Sequence, residues 1–267
     1  MSANGDNRNG AGAGPGDALV PHVPASGISF VRFAPEAPYD ERLIFWEQRD
    51  LETAAAFRLL RQRLIDRGDP RMVLCTSAEP GEGKTTLAAN LALAFAELGK
   101  HRVLLIEANF RNAALGEVFG FKPPAGFAVQ LARHRQQPTA PWIVVQIANS
   151  PLFIIAAEPR CCSKCATVLG EDAKFCGMCG AETETTTGGS IDAVAFATAI
   201  KQFRESFHYV VVDAPAVLAS GDVNLIQDSA DAIVFATRRG RSAARRLRRA
   251  IEQVAPAPVA AVALMDE

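Results

Sequence analysis

The sequence predicts an α/β fold in which helices cover both faces of a mostly parallel sheet. Three apolar runs of strand length, at 72–76, 102–106 and 209–213, contain few polar residues, which is typical of strands buried on both faces. Two further runs, at 232–237 and 259–264, have the same character. Helical patterns separate most of these runs, and strands that alternate with helices favour parallel pairing.

Length and composition narrow the class of protein. The 267 residues suffice for one large core, or for one core and a small module. The 28 basic and 29 acidic residues nearly cancel, so global charge points to neither nucleic acid nor membrane as a partner. No apolar segment is long and uncharged enough to span a bilayer, and the N-terminus lacks the apolar part of a secretion signal. We therefore expect a cytoplasmic protein.

The N-terminal part of the chain shows little regular patterning. Residues 1–26 are rich in Gly, Ala, Asn and Pro, which predicts a disordered tail. In the segment 27–50 we expect no regular element, because Pro35 and Pro38 interrupt it. A helix is predicted over 51–66, with an apolar stripe facing the domain and arginines on its exposed side. The stripe consists of Phe57, Leu60 and Leu64, and the arginines are Arg58, Arg61 and Arg63.

The segment AEPGEGKT at 78–85 lies between the first apolar run and a helix with apolar residues on nearly every side. It fits the Walker A spacing G-x-x-x-x-G-K-[ST], except that Ala78 replaces the first glycine. Gly81 and Gly83 can take positive φ, so that backbone N–H groups turn inward around a phosphate. Strand, loop and helix follow in the order that phosphate binding requires. The alternative interpretation is a glycine-containing turn before a core helix.

These residue types predict a nucleoside triphosphate and Mg²⁺ as ligands. Lys84 brings a mobile positive charge to the β and γ phosphates, and Thr85 places a hydroxyl where it can ligate Mg²⁺. The predicted nucleotide contacts in this segment are Pro80, Gly81, Glu82, Gly83, Lys84, Thr85 and Thr86.

Polar residues mark the ends of two other predicted strands. Glu107, Asn109 and Arg111 follow the second apolar run, and Asp213 ends the third. Because the carboxyl ends of parallel strands hold the ligand, we expect these side chains to face the phosphates. Asp213 fits the aspartate of a Walker B strand, which holds Mg²⁺ directly or through water. Asp222 is a further candidate, for which a helix N-cap or a turn is the alternative role.

Four segments give the sequence a family resemblance: TSAEPGEGKTTLAANLA, VLLIEANFR, YVVVDAPAVL and AAAFRLLRQRL. Together they resemble the bacterial tyrosine kinases that regulate capsule and exopolysaccharide synthesis, a branch of the MinD/ParA class of P-loop ATPases. The resemblance extends from Glu52 onward, apart from a cysteine-rich segment, and implies a P-loop ATPase or kinase-like domain at 27–158 and 190–267. The cofactors that it implies are ATP and Mg²⁺. The catalytic residues that it implies are Lys84, Glu107 and Asp213.

The resemblance also implies partners and a site of action. These kinases work with a membrane-anchored polysaccharide co-polymerase or activator, so we expect the protein to reach the inner membrane through such a partner. An E-x-x-R-x-x-R helix implies a homo-oligomer, and its arginines correspond to Arg58 and Arg61. Ala55 stands at the glutamate position, so the ion pairs between subunits would be incomplete.

Other departures from the family pattern concern phosphoryl transfer. The family ends this strand in Asp-x-Asp-x-Arg, where this chain has Glu107, Asn109 and Arg111. A neutral amide is a poor general base and a weaker Mg²⁺ ligand than a carboxylate. The family autophosphorylates a C-terminal tyrosine cluster, whereas the two tyrosines here are Tyr39 and Tyr209. We therefore expect an ATPase or a non-specific protein-tyrosine kinase with weakened or lost autokinase activity.

Two other functions are compatible with the sequence. A MinD/ParA-like positioning ATPase would carry a signature lysine where this chain has Glu79, which counts against that alternative. A non-catalytic scaffold would use bound nucleotide as a structural element and the cysteine-rich segment as its contact surface. Asn109 favours the scaffold, because its amide is a poor catalytic group.

Four cysteines form two C-x-x-C pairs separated by ten residues. Two such pairs can present four thiolates in a tetrahedron, so the segment 159–182 resembles an inserted zinc ribbon, followed by a linker at 183–189. Four protein ligands leave no open position, which makes the Zn²⁺ structural. We expect the ribbon to fold only with metal bound and to dock a protein, or alternatively a nucleic acid. The predicted ligands are Cys162, Cys165, Cys176 and Cys179.

A cluster of seven arginines lies between Arg238 and Arg249. Leu247, Ile251 and Val254 form an apolar stripe at helical spacing, which predicts a helix with arginines on its polar face. The favoured interpretation is a solvated outer helix of the α/β domain. Contact with nucleic acid or anionic lipid is the alternative.

Overall fold

A computed structural model describes most of the chain. The described residues are 27–47, 51–97, 99–159, 162, 164–165, 167, 169, 173–182 and 191–265. The predicted tail at 1–26 and the predicted linker at 183–189 lie outside the described residues, so both stay predictions.

The strands form one eight-stranded sheet. In chain order they are β1 (Ile28–Phe33), β2 (Met72–Ser77), β3 (Val103–Glu107), β4 (Trp142–Ile147), β5 (Leu152–Ile155), β6 (Tyr209–Asp213), β7 (Ala232–Arg238) and β8 (Val259–Met265). Their order across the sheet is β1-β4-β5-β3-β6-β2-β7-β8. Neighbouring strands are parallel except for β4 and β5, which pair antiparallel. The predicted mostly parallel sheet is therefore confirmed.

Helices contribute to a hydrophobic core on each face of the sheet. They are α1 (Ile44–Glu47), α2 (Leu51–Asp66), α3 (Lys84–Ala96), α4 (Leu115–Val118), α5 (Phe127–Gln136), α6 (Ala193–Ser206), α7 (Asp222–Ile226) and α8 (Ala244–Val254). Helices α1 to α4 pack into one core and α5 to α8 into the other, so side chains that alternate along each buried strand are covered on both faces. None of the described helices is long and apolar enough to cross a lipid bilayer.

Helix α3 begins at the end of the AEPGEGKT segment at 78–85, which we call the phosphate loop. The helix is buried along most of its length, because α2 covers the side that faces away from the sheet. Phe57 and Leu64 of α2 are buried and Leu60 is partly buried, as the apolar stripe predicts. Arg61 is less exposed than the other two arginines of this helix, Arg58 and Arg63. Its side chain is only 11% exposed, because one guanidinium nitrogen donates a hydrogen bond to the carbonyl of Ala94.

The segment 27–50 contains two elements where none was expected, the edge strand β1 and the short helix α1. Strand β1 forms because a parallel partner, β4, pairs with it along its whole length. The two prolines that suggested an irregular segment lie in the loop after the strand. A side chain of α3 holds the start of helix α1 in place. Asn90 accepts a hydrogen bond from the Ile44 N–H and donates one to the carbonyl of Arg42.

Candidate functional site

The carboxyl ends of three central strands carry the predicted site residues. Strand β6 lies between β2 and β3, and Asp213 pairs in register with Glu107 on one side and with Cys75 on the other. The phosphate loop begins directly after β2. The sheet topology therefore brings the Walker A loop, the Walker B aspartate and the end of β3 to one edge, as predicted.

The phosphate loop has the backbone shape that its glycines allow. Gly81 and Gly83 have φ values of 80° and 88°, in the left-handed region that favours glycine. Ala78, which replaces the first glycine of the motif, is buried and outside the left-handed region, so its Cβ causes no backbone strain. Glu82 accepts a hydrogen bond from the Glu79 N–H at 2.9 Å, which ties the loop to itself.

A hydroxyl and a buried carboxylate lie together at the start of α3. Thr85 Oγ1 donates a 2.7 Å hydrogen bond to Asp213 Oδ2. Burial raises the pKa of Asp213, and the charge of Lys84 and the bond from Thr85 oppose that rise. Within the described part of the chain, Asp213 Oδ1 is buried without a hydrogen-bond partner. An unpaired carboxylate oxygen beside a hydroxyl fits a Mg²⁺ ion held directly or through water.

Glu107 is fully buried, and both of its carboxylate oxygens accept backbone hydrogen bonds. Oε1 accepts the N–H groups of Ala114 and Leu115 at the start of α4, and Oε2 accepts the N–H of Ala157 at 2.9 Å. Burial and then the charge of Asp213 raise the pKa of Glu107 to about 8, although the three backbone donors oppose the rise. The carboxylate thus holds two loops in place, and its catalytic role stays a prediction.

The other residues predicted at the end of β3 differ in exposure. Asn109 is buried, and its amide nitrogen donates a hydrogen bond to the carbonyl of Asn112 at 3.0 Å. Arg111 is exposed at the same edge of the sheet. Asp222 is engaged locally, since it accepts hydrogen bonds from the Ser220 hydroxyl and the Ile191 N–H. This supports the alternative, structural role for Asp222.

Two contacts of the phosphate loop come from residues that the sequence analysis did not place in the site. Arg246 of α8 forms an ion pair with Glu79, with 3.0 Å between Nη1 and Oε1. The side chain of Met265, at the end of β8, packs against Gly83. No local sequence signal could have found either contact, because both partners are distant in the chain.

The four cysteines of the two C-x-x-C pairs converge. Their sulfur atoms all lie within 4.8 Å of one another, and the two closest described pairs are 3.5 Å and 3.6 Å apart. Zn–S bonds of about 2.3 Å place the sulfurs of a tetrahedral site roughly 3.8 Å apart, so the cluster fits a Zn²⁺ ion. A bridge between Phe175 and Glu182 closes the turn around the second pair. The four sulfur atoms are therefore close enough together to bind one metal ion, and the zinc site stays a prediction.

Comparison with curated proteins gives relatives of three kinds. The chain is 26% identical over 186 residues to the tyrosine-protein kinase YwqD of Bacillus subtilis, covering 69% of this chain and 67% of YwqD. It is 26% identical over 167 residues to the septum site-determining protein MinD of Synechocystis, covering 62% and 53%. It is 27% identical over 198 residues to the succinoglycan biosynthesis transport protein ExoP of Rhizobium meliloti, covering 74% of this chain but 22% of ExoP. No protein-family model matches the chain.

Solved structures show the same fold. The chimerical protein CapA2B2 superposes with a TM-score of 0.66 at 19% identity, over 86% of this chain and 93% of that one. The kinase domain of the Escherichia coli tyrosine kinase ETK gives 0.62 at 17% identity, over 86% and 82%. This chain resembles bacterial tyrosine kinases and MinD. The resemblance predicted from the sequence is confirmed, and a nucleotide-binding P-loop fold is expected of such relatives.

The helix implied to mediate kinase oligomerisation has its arginines engaged within the chain. Arg58 forms an ion pair and hydrogen bonds with Glu97, and Arg61 lies 3.4 Å from the same carboxylate. The pKa of Glu97 is lowered, first by the hydrogen bond from Arg58. The corresponding position for an intersubunit partner, Ala55, carries no charge. Homo-oligomerisation stays a prediction.

Proposed function

We propose that this protein is an ATP-binding P-loop protein of the bacterial tyrosine-kinase type that regulates exopolysaccharide or capsule synthesis, with weakened or lost autokinase activity. The observation that carries the proposal is the hydrogen bond between Thr85 and Asp213 at the end of the phosphate loop. Two glycines with positive φ shape this loop, and Lys84 precedes Thr85 in it. The names of the relatives, which include tyrosine-protein kinases and a succinoglycan biosynthesis transport protein, support the biological context.

Different residues around the phosphate loop would bind the phosphates and the Mg²⁺ ion. The backbone N–H groups at 81–85 and the Lys84 ammonium would hold the phosphates. Thr85 and Asp213 would hold Mg²⁺, which when bound supplies positive charge to the phosphate oxygens. Asp213 is well placed for this role because its unpaired oxygen is already buried, so little reorganisation is needed.

Weakened phosphoryl transfer is supported by the groups at the end of β3. Both oxygens of Glu107 already accept backbone hydrogen bonds, so a role as general base would require breaking at least one of them. Asn109 supplies no negative charge. Tyr209 is an unsuitable phosphate acceptor, because its hydroxyl donates to Asp69 and burial raises its pKa to about 12.

The cysteine cluster supports a second proposed element, a structural zinc ribbon inserted between β5 and α6. The ribbon exposes two large apolar side chains, Phe175 and Met178, which are 62% and 75% exposed. Two large exposed apolar side chains three residues apart support a protein contact at this turn. We propose that the ribbon docks a protein, and that a membrane-anchored polysaccharide co-polymerase or activator brings the protein to the inner membrane.

The test is ATP turnover by zinc-loaded protein, with phosphotyrosine measured in the same reaction. Lys84→Ala is the site variant, and Lys100→Ala, which removes an exposed lysine, is the matched control. We expect ATP binding that disappears in Lys84→Ala, slow turnover and no phosphotyrosine. Autophosphotyrosine on the wild-type protein would overturn the proposed loss of autokinase activity. Absence of ATP binding would overturn the proposal as a whole.

A non-catalytic scaffold is the second candidate function, and the engaged carboxylate of Glu107 favours it. In that case ATP binds tightly without turnover, and the ribbon remains the contact surface. A MinD-like positioning ATPase has less support, since Glu79 stands at the signature lysine position and is paired with Arg246. Nucleotide-dependent binding to DNA or lipid vesicles would favour that function.

A further inference from the structure

An arginine of helix α8 contacts the beginning of the phosphate loop. Arg246 Nη1 lies 3.0 Å from Glu79 Oε1, and the two side chains are 54% and 35% exposed. Glu79 is the second residue of the Walker A segment, so the ion pair lies at the loop and not on a remote surface. A half-exposed arginine can change its partner without opening the core.

A second contact fixes α8 relative to the loop. Strand β8 follows α8, and its last residue, Met265, packs so close to Gly83 that a Cβ atom there would lie 3.1 Å from Met265 Cγ. Met265 also pairs in register with Arg238 of β7, and its carbonyl accepts the N–H of the next residue, Arg239, at 3.1 Å. The unit formed by β7, α8 and β8 therefore contacts the loop near its beginning and at its last glycine.

The charges of the loop explain why an extra cation is useful there. Glu79 and Glu82 belong to the loop itself, and Asp213 lies behind it. A carboxylate near a bound triphosphate repels it, unless a positive group neutralises the carboxylate or moves to the phosphate. Arg246 already neutralises Glu79, and a guanidinium binds phosphate oxygens through two parallel N–H groups.

We propose that Arg246 senses the terminal phosphate of a bound nucleoside triphosphate. In the nucleotide-free protein its guanidinium binds Glu79, and when a triphosphate binds it turns to the terminal phosphate while Glu79 turns to solvent. The exchange favours triphosphate over diphosphate, because only a triphosphate offers its γ-phosphate oxygens to the guanidinium. The inference rests on the proposed nucleotide site and adds a specificity-determining residue to it.

The experiment compares affinities for MgATP and MgADP by calorimetry in full-length, zinc-loaded protein. We expect Arg246→Ala to weaken MgATP binding by about tenfold and MgADP binding by less than about twofold. Arg246→Lys should recover part of the ATP affinity, since it keeps the charge but loses the two-pronged contact. Glu79→Gln should tighten MgATP binding, because it removes the repulsion and frees the arginine. Arg245→Ala, on the same helix and also exposed, is the matched control.

Three outcomes would count against the inference. Equal behaviour of Arg246→Ala and Arg245→Ala would overturn it. Equal weakening of both nucleotides by Arg246→Ala would overturn it as well, because that result indicates a structural role for the ion pair. A wild-type protein that binds neither nucleotide would overturn the proposed function and this inference with it, whereas the first two outcomes leave the proposed function intact.

Discussion

The phosphate loop and the cysteine cluster are both candidate ligand sites, but the fold supports them differently. The loop joins a fully buried strand, β2, to the buried helix α3, and its shape is fixed by glycine conformations and hydrogen bonds. The cysteine cluster has two buried ligands, Cys162 and Cys176, within a short segment whose Phe175 and Met178 are exposed. The loop is therefore supported by the core of the domain, and the cluster by its own four thiols.

We infer from this difference that the two sites depend on their ligands to different extents. A segment this small buries too little apolar surface to fold without metal, so the zinc would supply its stability. A buried strand and a buried helix hold the phosphate loop at both ends, so we expect it to keep its shape without nucleotide. Ligand removal should therefore unfold one region and leave the other intact.

Zinc removal is expected to have the largest effect. A chelator should abolish hydrogen-exchange protection in the segment 162–182, while the nucleotide affinity changes by less than about twofold, as expected for independent sites. Cys176→Ser should mimic chelation by removing a buried ligand, whereas Cys161→Ser, outside the two pairs, should retain bound zinc. A ribbon that stays protected without metal would remove the contrast between the two regions.

Asp213→Asn is expected to have opposite effects on function and stability. The change removes a buried carboxylate whose pKa is raised by burial, so the nucleotide-free protein should melt a few degrees higher. The amide is a weaker Mg²⁺ ligand, so MgATP binding should weaken by at least about tenfold. Thermal melts with and without MgATP measure both effects.

Asp228→Asn provides the control for that comparison, because it changes an exposed acidic residue on the connection between β6 and β7. It should alter neither melting temperature nor affinity. If Asp213→Asn lowered the melting temperature of the nucleotide-free protein, the carboxylate would be a stabilising group, and the idea that the fold holds it ready for a metal would be wrong.

Much of this architecture is readable from local sequence. The strand that ends at Asp213, the loop with Gly81 and Gly83, and the two C-x-x-C pairs are each defined by spacing within one short segment. These patterns can be recognised in the sequence because the chemistry requires those residue types at those intervals. The parallel pairing followed from the alternation of strands and helices.

The features that sequence reasoning missed depend on partners far along the chain. Strand β1 needs β4 beside it, and the prolines that follow it had suggested an irregular segment. The ion pair between Glu79 and Arg246 joins the loop to α8, and no periodicity predicts it. Arg61 is partly buried, with its guanidinium against the carbonyl of Ala94. Tertiary contacts of this kind override local patterning.

Glu107→Gln should have the smallest effect, and it tests whether the two regions are independent at all. Glu107 lies beside Asp213 and also holds Ala157, on the segment that leads to the cysteines. Its pKa, about 8 in the folded chain against 4.5 for an ordinary glutamate, means that the folded state binds the extra proton between these values. Its stabilising contribution is therefore complete below pH 4.5 and is lost as pH rises towards 8 and above.

The variant should flatten this dependence, because a glutamine cannot lose a proton. At pH 6 it should melt roughly 2 °C lower than wild type, since its amide cannot accept the Ala157 N–H. At pH 8.5 the difference should shrink, and some slope should remain because the pKa of Asp213 is also raised. Melts in nucleotide-free, magnesium-free buffer measure this pH dependence of the melting temperature, with exposed Glu205→Gln as control.

Increased hydrogen exchange around Cys162 in Glu107→Gln alone would show that the buried carboxylate couples the ribbon to the phosphate site. An unchanged pH slope would show instead that Glu107 is ionised in the folded protein across this pH range.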